Sequence, residues 1–414
     1  MSAPTPEARA AEFDAADPLA DCRNRFALPE GVIYLDGNSL GALPRATPAA
    51  LARVVEEQWG EGLIRSWNAS ALGPGWFEAA ARIGGKIAPL IGAAPDEVIA
   101  CDSTSVNLFK LIAAALAMRP GRKVVLSERG NFPTDLYMIA GLEAQGLATR
   151  RLAEREGLMA ALDGDVALLL LTHVHYKTGA MHDMAALTRA AHAAGALVLW
   201  DLSHSTGAVP VDLGGVQADF AVGCGYKYLC GGPGAPAFAY VAQRHQADLV
   251  QPLTGWFGHA APFAFTDDYA AAPGIARLQC GTPPILGLAA LEVGVDLISE
   301  IGVARLHGKS QALSEFFLEC LMAHDVHLEL VSPARSIDRG SQLSFRHPHA
   351  YALCQALIAR GVIGDFRDPD VLRLGFAPAY LSFADIAAAA RHLAEVLASA
   401  EWQRPEYAAR AAVT

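Results

Sequence analysis

Two uninterrupted apolar runs, at residues 166–171 and 196–200, constrain the fold of this chain more than any other feature of its sequence. Apolar residues without polar alternation are typical of parallel strands that are covered on both faces. Thr172 follows the first run and Asp201 follows the second. Ligands of open parallel sheets bind beyond the carboxyl ends of the strands. The sequence therefore predicts an α/β fold whose site is built from the residues that follow these strands.

A lysine occupies a comparable position after a third, shorter apolar run. Lys227 follows residues 220–222 and a Gly-Cys-Gly bend. Because lysine is rarely buried without a partner, its place beyond a core strand requires a reason. One reason is a desolvated amine that forms a Schiff base with a carbonyl, and the other is a lysine that extends from the sheet into a turn. This stretch alone leaves both interpretations open.

Asp201 helps to decide between the two interpretations of Lys227. Pyridoxal phosphate (PLP) enzymes need a lysine that binds the cofactor aldehyde and an acid that pairs with the pyridinium nitrogen. Asp201 and Lys227 both follow strands, and the chain between them is long enough for one crossover between neighbouring strands. The pair therefore favours a PLP site over a capping aspartate and a surface lysine.

Three segments carry a resemblance to a known family. They are Asp-Leu-Ser-His at 201–204, Tyr-Lys-Tyr-Leu at 226–229 and Gly-Trp-Phe-Gly-His at 255–259. In this order and spacing they resemble kynureninase, a family of PLP-dependent hydrolases with the aspartate aminotransferase fold. The likeness extends over nearly the whole chain, from about residue 34 to residue 383.

The resemblance implies PLP fold type I, an α/β fold in which helices flank a mostly parallel seven-stranded sheet. Residues 61–296 are expected to form this large PLP-binding domain, and residues 297–414 a smaller α/β domain. Residues 1–60 are expected to contribute to the small domain and to the pocket.

The resemblance also implies an activity, the hydrolysis of L-kynurenine to anthranilate and L-alanine in tryptophan degradation or NAD biosynthesis. Lys227 would hold PLP and move the α-proton as general base and acid, while Asp201 would keep the ring nitrogen protonated. Tyr226 would contact the cofactor phosphate and relay a proton to the leaving group. The remaining cofactor contacts implied by the resemblance are Thr104, Ser105, Phe132, Asp135, Thr172 and His204.

Two of these contacts also stand where their chemistry is useful. Thr104 and Ser105 open a helix after a strand, which is typical both of a plain helix cap and of a phosphate site at a helix N-terminus. Phe132 follows another strand, where an aromatic ring either stacks on the pyridine or packs in the core. The resemblance favours the functional interpretation of each.

The substrate contacts implied by the resemblance are Arg373, Asn38 and His204. Arg373 lies in a strand at residues 371–376, on the face opposite to Leu372 and Leu374. A planar guanidinium on a rigid strand suits bidentate capture of a carboxylate, whereas a surface arginine on an edge strand is the alternative. The family match favours capture of the substrate carboxylate.

A homodimer with shared active sites is a further implication. Trp256 and Thr282 match family positions that reach the cofactor phosphate of the neighbouring subunit. Thr282 departs from the asparagine of some animal relatives, and this leaves the choice between kynurenine and 3-hydroxykynurenine open.

Composition excludes several other classes of protein. The formal net charge is −11 without a basic block, which argues against nucleic acid and anionic membrane as partners. The seven cysteines form no CxxC pair, so we expect reduced thiols in a cytoplasmic protein. No apolar run is long enough to span a bilayer. His173, His175 and His182 match no established zinc spacing, and no metal is expected.

Two local predictions concern the connections. Residues 60–76 are rich in Gly, Trp and Asn and are predicted to form a loop. A helix is predicted from residue 284 to about residue 307, with Gly308 just past its end.

Three alternative functions remain from the sequence. The first is another lyase or aminotransferase of the same fold, although Cys224 and Cys230 lie too close to the lysine to serve as a mobile desulfurase nucleophile. The second is a non-catalytic PLP-binding protein, which would normally carry a basic DNA-binding segment that is not found here. The third is a nucleotide site at the glycines of residues 231–234, which follow the lysine rather than open a helix.

Overall fold

The structure of the chain is a computed structural model that describes residues 4–410. Its strands are β1 Phe26–Ala27, β2 Ile33–Tyr34, β3 Leu43–Pro44, β4 Val98–Ala100, β5 Val124–Glu128, β6 Thr149–Ala153, β7 Val166–Thr172, β8 Leu197–Asp201, β9 Phe220–Gly223, β10 Phe238–Val241, β11 Glu329–Leu330, β12 Gln342–Arg346, β13 Val362–Ile363, β14 Asp365–Arg367 and β15 Val371–Gly375. Its α-helices are α1 Pro6–Ala15, α2 Thr47–Arg53, α3 Ala79–Ile87, α4 Thr104–Ala117, α5 Pro133–Ala144, α6 Met184–Ala193, α7 Gln243–Gln246, α8 Ile285–Ile301, α9 Val303–Ala323, α10 Ala350–Ala359 and α11 Phe383–Ala398.

The central feature is a seven-stranded sheet in the spatial order β4-β10-β9-β8-β7-β5-β6. Strands β5 to β9 pair in parallel, whereas β10 is antiparallel to both β9 and β4. Every residue of β7, β8 and β9 is buried, which explains why these strands are apolar without alternation. The predicted α/β fold with a mostly parallel seven-stranded sheet is confirmed.

A second, antiparallel sheet has the order β11-β12-β15-β14. The N-terminal segment joins this part of the molecule, because β2 pairs in parallel with β13 and Asp36 bridges to Gly375. The expected contribution of residues 1–60 to a small domain stays a prediction. The expected boundary at residue 296 falls inside α8, and the division into domains remains a prediction.

The prediction of one helix that stops at Gly308 is wrong. Helix α8 ends at Ile301, and α9 begins at Val303 and continues through Gly308. The break lies at Gly302, whose φ of 91° is readily adopted only by a residue without a Cβ. The predicted loop also begins later than expected, since a π-helical segment extends from Val54 to Gly62 and a 3₁₀ turn from Leu63 to Trp67.

Membrane crossing can be assessed from the helices between residues 4 and 410. None of them combines the length and the apolar character that a transmembrane helix needs.

Candidate active site

A cavity of about 170 Å³ lies at the carboxyl ends of the parallel strands. Asp201 is the last residue of β8, Thr172 is the last residue of β7, and Lys227 follows β9. Parallel pairing places the ends of these strands at one edge of the sheet, so residues far apart in sequence meet there. The residues that line the cavity are Thr104, Ser105, Phe132, Thr134, Asp135, Thr172, Val174, Tyr176, Asp201, Ser203, His204, Tyr226 and Lys227.

Lys227 is the buried amine of this cavity, with 8% of its surface exposed. Its Nζ atom lies 2.9 Å from Nε2 of His204 and 5.7 Å from the centre of the Phe132 ring. Burial lowers the pKa of the Lys227 amine, because it removes water that would solvate the charged form and the site does not replace that solvation. A larger neutral fraction makes this amine a better nucleophile toward a carbonyl.

Asp201 is buried at the same edge, with 3% of its surface exposed. One carboxylate oxygen accepts a hydrogen bond from the backbone N–H of Ser203 at 2.8 Å. Burial raises the pKa of Asp201, and no ion pair of this carboxylate is found within residues 4–410. A cationic N–H donor placed beside Asp201 would therefore be strongly favoured.

His204 lies beside Lys227 and is also buried. Burial and the adjacent Lys227 hold its pKa well below the usual value, so the imidazole is neutral. Its Nδ1 atom is buried without a hydrogen-bond partner among the described residues. A buried polar atom of this kind indicates a group that the protein alone does not supply.

The first turn of α4 forms one wall of the cavity. Ser103 caps the helix, since its side chain accepts a hydrogen bond from the N–H of Val106 at 3.3 Å. Thr104 and Ser105 line the cavity, and at the first turn of a helix their backbone N–H groups have no partner inside the helix. The positive end of the helix dipole adds to this preference for an anion such as a phosphate.

The start of α5 forms the opposite side. Phe132 packs edge-to-face on Tyr176, with 5.3 Å between the ring centres. Asp135 is fully buried and accepts a hydrogen bond from Asn131 at 3.1 Å, while its second oxygen has no partner in the described part of the chain. Burial and the charge of Asp201 raise the pKa of Asp135 well above its usual value.

These groups fit pyridoxal phosphate. A lysine with a lowered pKa, an acid without a cationic partner and an anion-binding helix turn surround one cavity, beside an aromatic ring. The unpartnered nitrogen of His204 and the unpartnered oxygen of Asp135 are further polar atoms that a bound cofactor could satisfy. Nine of the predicted site residues line this cavity, and they are Thr104, Ser105, Phe132, Asp135, Thr172, Asp201, His204, Tyr226 and Lys227.

Arg373 and Asn38 lie beside the cavity rather than in its lining. Arg373 lies on β15, between β12 and β14, and is 1% exposed, so the alternative of a surface arginine on an edge strand is wrong. Its Nε donates to Asp365 at 2.7 Å, and its Nη1 donates to the carbonyl of Tyr176, a residue of the cavity lining. Asn38 is buried, and neither atom of its amide has a hydrogen-bond partner within residues 4–410.

Trp256 and Thr282 do not reach the cavity of their own chain. Both are exposed, and Trp256 packs on Phe257 and Phe263 instead. Their proposed contact with a cofactor would therefore require a second chain, and it remains a prediction.

The sequence interpretation missed several residues of this region. Thr134, Val174, Tyr176 and Ser203 line the cavity, and each stands within four positions of a residue that was identified. Proximity to the strand ends was the signal that could have revealed them. Asp365 was also missed, since its place opposite Arg373 follows from the pairing of β14 with β15.

The histidines near the site serve as hydrogen-bonding groups. His173 lies 2.9 Å from the hydroxyl of Ser205, and His182 lies 2.8 Å from the carboxylate of Glu128. Between residues 4 and 410, no group of three or more His, Cys, Asp or Glu side chains is arranged to hold a metal ion.

The sheet, the lysine and the acid at its edge define the class of this protein as a PLP-dependent enzyme of fold type I. Two solved structures show the same fold. The apo cysteine desulfurase from Thermococcus onnurineus NA1 matches with a TM-score of 0.78 at 19% identity, covering 92% of this chain and 98% of that chain. The C-DES mutant with glycine covalently linked to its PLP cofactor matches with a TM-score of 0.74 at 16% identity, covering 90% and 98%.

Sequence comparison identifies the family. The chain is 51% identical over 411 residues to the kynureninase of Burkholderia mallei strain SAVP1, covering 97% of this chain and 98% of that protein. It is 49% identical over 414 residues to the kynureninase of Pseudomonas fluorescens, with the same coverage. The family model described as the kynureninase C-terminal domain matches residues 306–393. The chain belongs to the kynureninase family.

Proposed function

We propose that this protein hydrolyses L-kynurenine to anthranilate and L-alanine with PLP as its cofactor, as a step of tryptophan degradation. The observation that carries the proposal is the buried amine of Lys227, which shares one cavity with the unpaired acid Asp201 in a member of the kynureninase family.

The cofactor would be held by groups on three sides of the cavity. Thr104 and Ser105 would bind its phosphate at the N-terminus of α4, with Tyr226 as a further phosphate contact. Phe132 would lie against its ring, and Asp201 would accept the N–H of the ring nitrogen. When bound, PLP supplies an aldehyde for the lysine and a ring that withdraws electrons from the substrate α-carbon.

Lys227 would hold the cofactor at rest and act as general base and acid once the substrate amine displaces it. Its lowered pKa favours this work, because the neutral amine accepts a proton and the ammonium form returns it. Asp201 would remain ionised beside the protonated ring, since that cation supplies the partner that the carboxylate lacks. Tyr226 lines the same cavity and would relay a proton to the leaving group.

The substrate would be oriented by the polar groups beside the cavity. Arg373 would attract the α-carboxylate, and Asn38 would offer amide atoms that have no other partner in the described residues. His204 lies 2.9 Å from Lys227 and would contact both cofactor and substrate. Asp135 and Thr172 would complete the cofactor site, with Thr172 fixed by the hydrogen bond from its hydroxyl to Asn131 at 2.7 Å.

A homodimer with shared sites is part of the proposal. Large apolar side chains are exposed on the segment before residue 65 and on the loop that carries Trp256, and burying them against a second copy would be favourable. The exposed position of Thr282 fits the same arrangement. The exposed apolar residues of these segments are Trp59, Leu63, Ile64, Trp256, Phe263 and Phe265.

The cysteines support a cytoplasmic location for this protein. All seven are free in the structure, and five of them are buried. Unbridged thiols in this number are typical of a reducing compartment.

The test is a spectrum followed by turnover. We expect the purified, PLP-loaded protein to be yellow, to consume L-kynurenine and to release fluorescent anthranilate together with alanine in equal amounts. 3-Hydroxykynurenine assayed in parallel measures the preference of the pocket. A yellow protein that is inert to both substrates but cleaves or transaminates another amino acid would contradict the proposed reaction while leaving the role of Lys227 intact.

A further inference from the structure

A second guanidinium stands beside Arg373. Arg367 is the last residue of β14, and its Nη2 donates to Asp365 at 2.6 Å. Arg373 on the neighbouring strand donates to the same carboxylate through Nε and Nη2. Ser39 accepts from both arginines, at 2.9 Å from Arg373 and 3.3 Å from Arg367. One buried carboxylate and one hydroxyl thus hold two guanidinium groups side by side.

The donors of Arg373 are almost fully used by the protein. Asp365 occupies the fork formed by Nε and Nη2, Ser39 accepts a further Nη2 hydrogen, and the carbonyl of Tyr176 accepts from Nη1. A guanidinium has five N–H donors in a fixed geometry. In this arrangement Arg373 retains one free N–H, so it offers a substrate carboxylate a single hydrogen bond rather than a bidentate pair.

Arg367 retains more free N–H donors than Arg373 does. Its Nε is buried and has no hydrogen-bond partner within the described residues, and its Nη1 makes only a long contact of 3.5 Å to the carbonyl of Phe366. Its side chain is 35% exposed, whereas that of Arg373 is 1% exposed. Arg367 is therefore the more accessible cation and the one with unsatisfied donors.

The charge balance favours the binding of one anion beside the two arginines. Two guanidinium groups face one ionised carboxylate, because Arg373 and Arg367 overcome the effect of burial and hold the pKa of Asp365 below its usual value. Asp36 adds only part of a negative charge near neutral pH, since burial and the charge of Asp365 raise its pKa to about 7.

The field of the two arginines reaches the reaction cavity. Burial lowers the pKa of Lys227, and the charges of Arg373 and Arg367 lower it further. The same two charges act on His204. A carboxylate bound between the arginines would thus lie within electrostatic range of the lysine, as the α-carboxylate of an amino acid held there would.

We propose that Arg367 is a second binding residue for the substrate α-carboxylate, acting with Arg373, and that Asp365 positions both guanidinium groups for this contact. The proposal rests on the proposed function, because it concerns an amino acid substrate of the same site.

The experiment uses PLP-loaded wild type and the variant Arg367→Gln, with two ligands that lack the amine and cannot react with the cofactor. The ligands are 4-(2-aminophenyl)-4-oxobutanoate and its primary amide, which differ only in the carboxylate. Calorimetry measures their affinities, and kynurenine kinetics measure KM and kcat. We expect Arg367→Gln to weaken acid binding and to raise KM by on the order of tenfold or more, with amide binding unchanged and kcat less affected.

Two further variants complete the test. Arg367→Lys retains the charge and should recover part of the acid affinity. Arg360→Gln removes a matched ion pair of the same region, the bridge to Glu401 at 2.6 Å, and should leave both affinities unchanged. Equal acid affinity in wild type and Arg367→Gln would overturn the proposal, and so would an equal loss of acid and amide. A wild type that does not turn over kynurenine would instead contradict the proposed function.

Discussion

Two buried aspartates at opposite ends of neighbouring central strands, Asp219 before β9 and Asp201 at the end of β8, are equally buried but differ in their hydrogen-bond partners. Asp219 precedes β9, and its carboxylate accepts hydrogen bonds from His192, His245 and Arg244 at 2.7 to 2.8 Å and from a backbone N–H. Asp201 ends β8, and its carboxylate accepts from Ser203, whose backbone N–H lies 2.8 Å from one oxygen. The two carboxylates are 2% and 3% exposed.

Their pKa values move in opposite directions. Burial opposes ionisation of Asp219, but its hydrogen bonds to His245 and His192 outweigh this and hold the pKa at about 2. Burial raises the pKa of Asp201, since its hydrogen bonds from Ser203 do not compensate for lost solvation. The difference teaches that burial of an acid does not indicate its role. An acid supplied with cationic donors ties the fold together, whereas an acid left without them is prepared for a ligand.

The largest expected effect concerns Lys227, the amine at the end of the sheet where the cofactor is expected to bind. Lys227→Ala should remove the visible absorption of the lysine-bound cofactor and lower turnover by roughly 10³-fold or more, because both the covalent attachment and the proton carrier are lost. Absorption spectra and anthranilate release measure the two effects. Lys86→Ala is the control, since it removes a surface lysine paired with Glu292 and Asp296. Normal absorption and turnover in Lys227→Ala would refute the assignment.

The next effect concerns Asp219, the acid whose hydrogen bonds stabilise the fold. Asp219→Asn should lower the free energy of unfolding by about 2 kcal/mol, because an amide replaces the ionised acceptor that Arg244, two histidines and a backbone N–H share. Urea unfolding followed by tryptophan fluorescence measures it.

The pH dependence of this variant follows from the lowered pKa. The stability that ionised Asp219 contributes is complete above the unfolded pKa near 4 and is lost only as the pH falls toward 2. The difference in the free energy of unfolding between wild type and Asp219→Asn should therefore fall as the pH is lowered from about 4 toward about 2. An unchanged difference across that range would show that the ionised carboxylate is not the source of this stability.

The smallest effect has the opposite sign. In the protein freed of PLP, Asp201→Asn should raise the free energy of unfolding by on the order of 1 kcal/mol, and the melting temperature with it, because burial raises the pKa of Asp201. The sign follows because a folded pKa above the unfolded value makes wild type lose stability as the pH rises, and the amide removes this loss.

Melting curves at pH 4, near the unfolded pKa of an aspartate, and at pH 8, with and without PLP, measure this effect. The gain should be larger at the higher pH, and PLP should stabilise wild type more than Asp201→Asn, since only the carboxylate can pair with the ring cation. A variant that melts below wild type without PLP would place Asp201 among the structural acids, together with Asp219.

Much of the site could be predicted because its signals are local. Apolar runs in the sequence correspond to strands that are buried on both faces, and Thr172, Asp201 and Lys227 follow such runs at once or within a few residues. The helix break could not be predicted in this way. Gly302 and Gly308 are both glycines near the end of a helical pattern, and only packing against the rest of the molecule decides which one adopts the positive φ.

The sequence by itself determined the strands, the α/β class and the lysine and acid at the carboxyl edge, because burial periodicity and side-chain chemistry are properties of short segments. Only the tertiary structure decided which acids receive cations. Asp219 obtains its donors from two distant segments, and Asp365 meets Arg373 through the register of β14 and β15. Such contacts depend on strand pairing and chain crossing, and a carboxylate acquires its role from the groups that these bring to it.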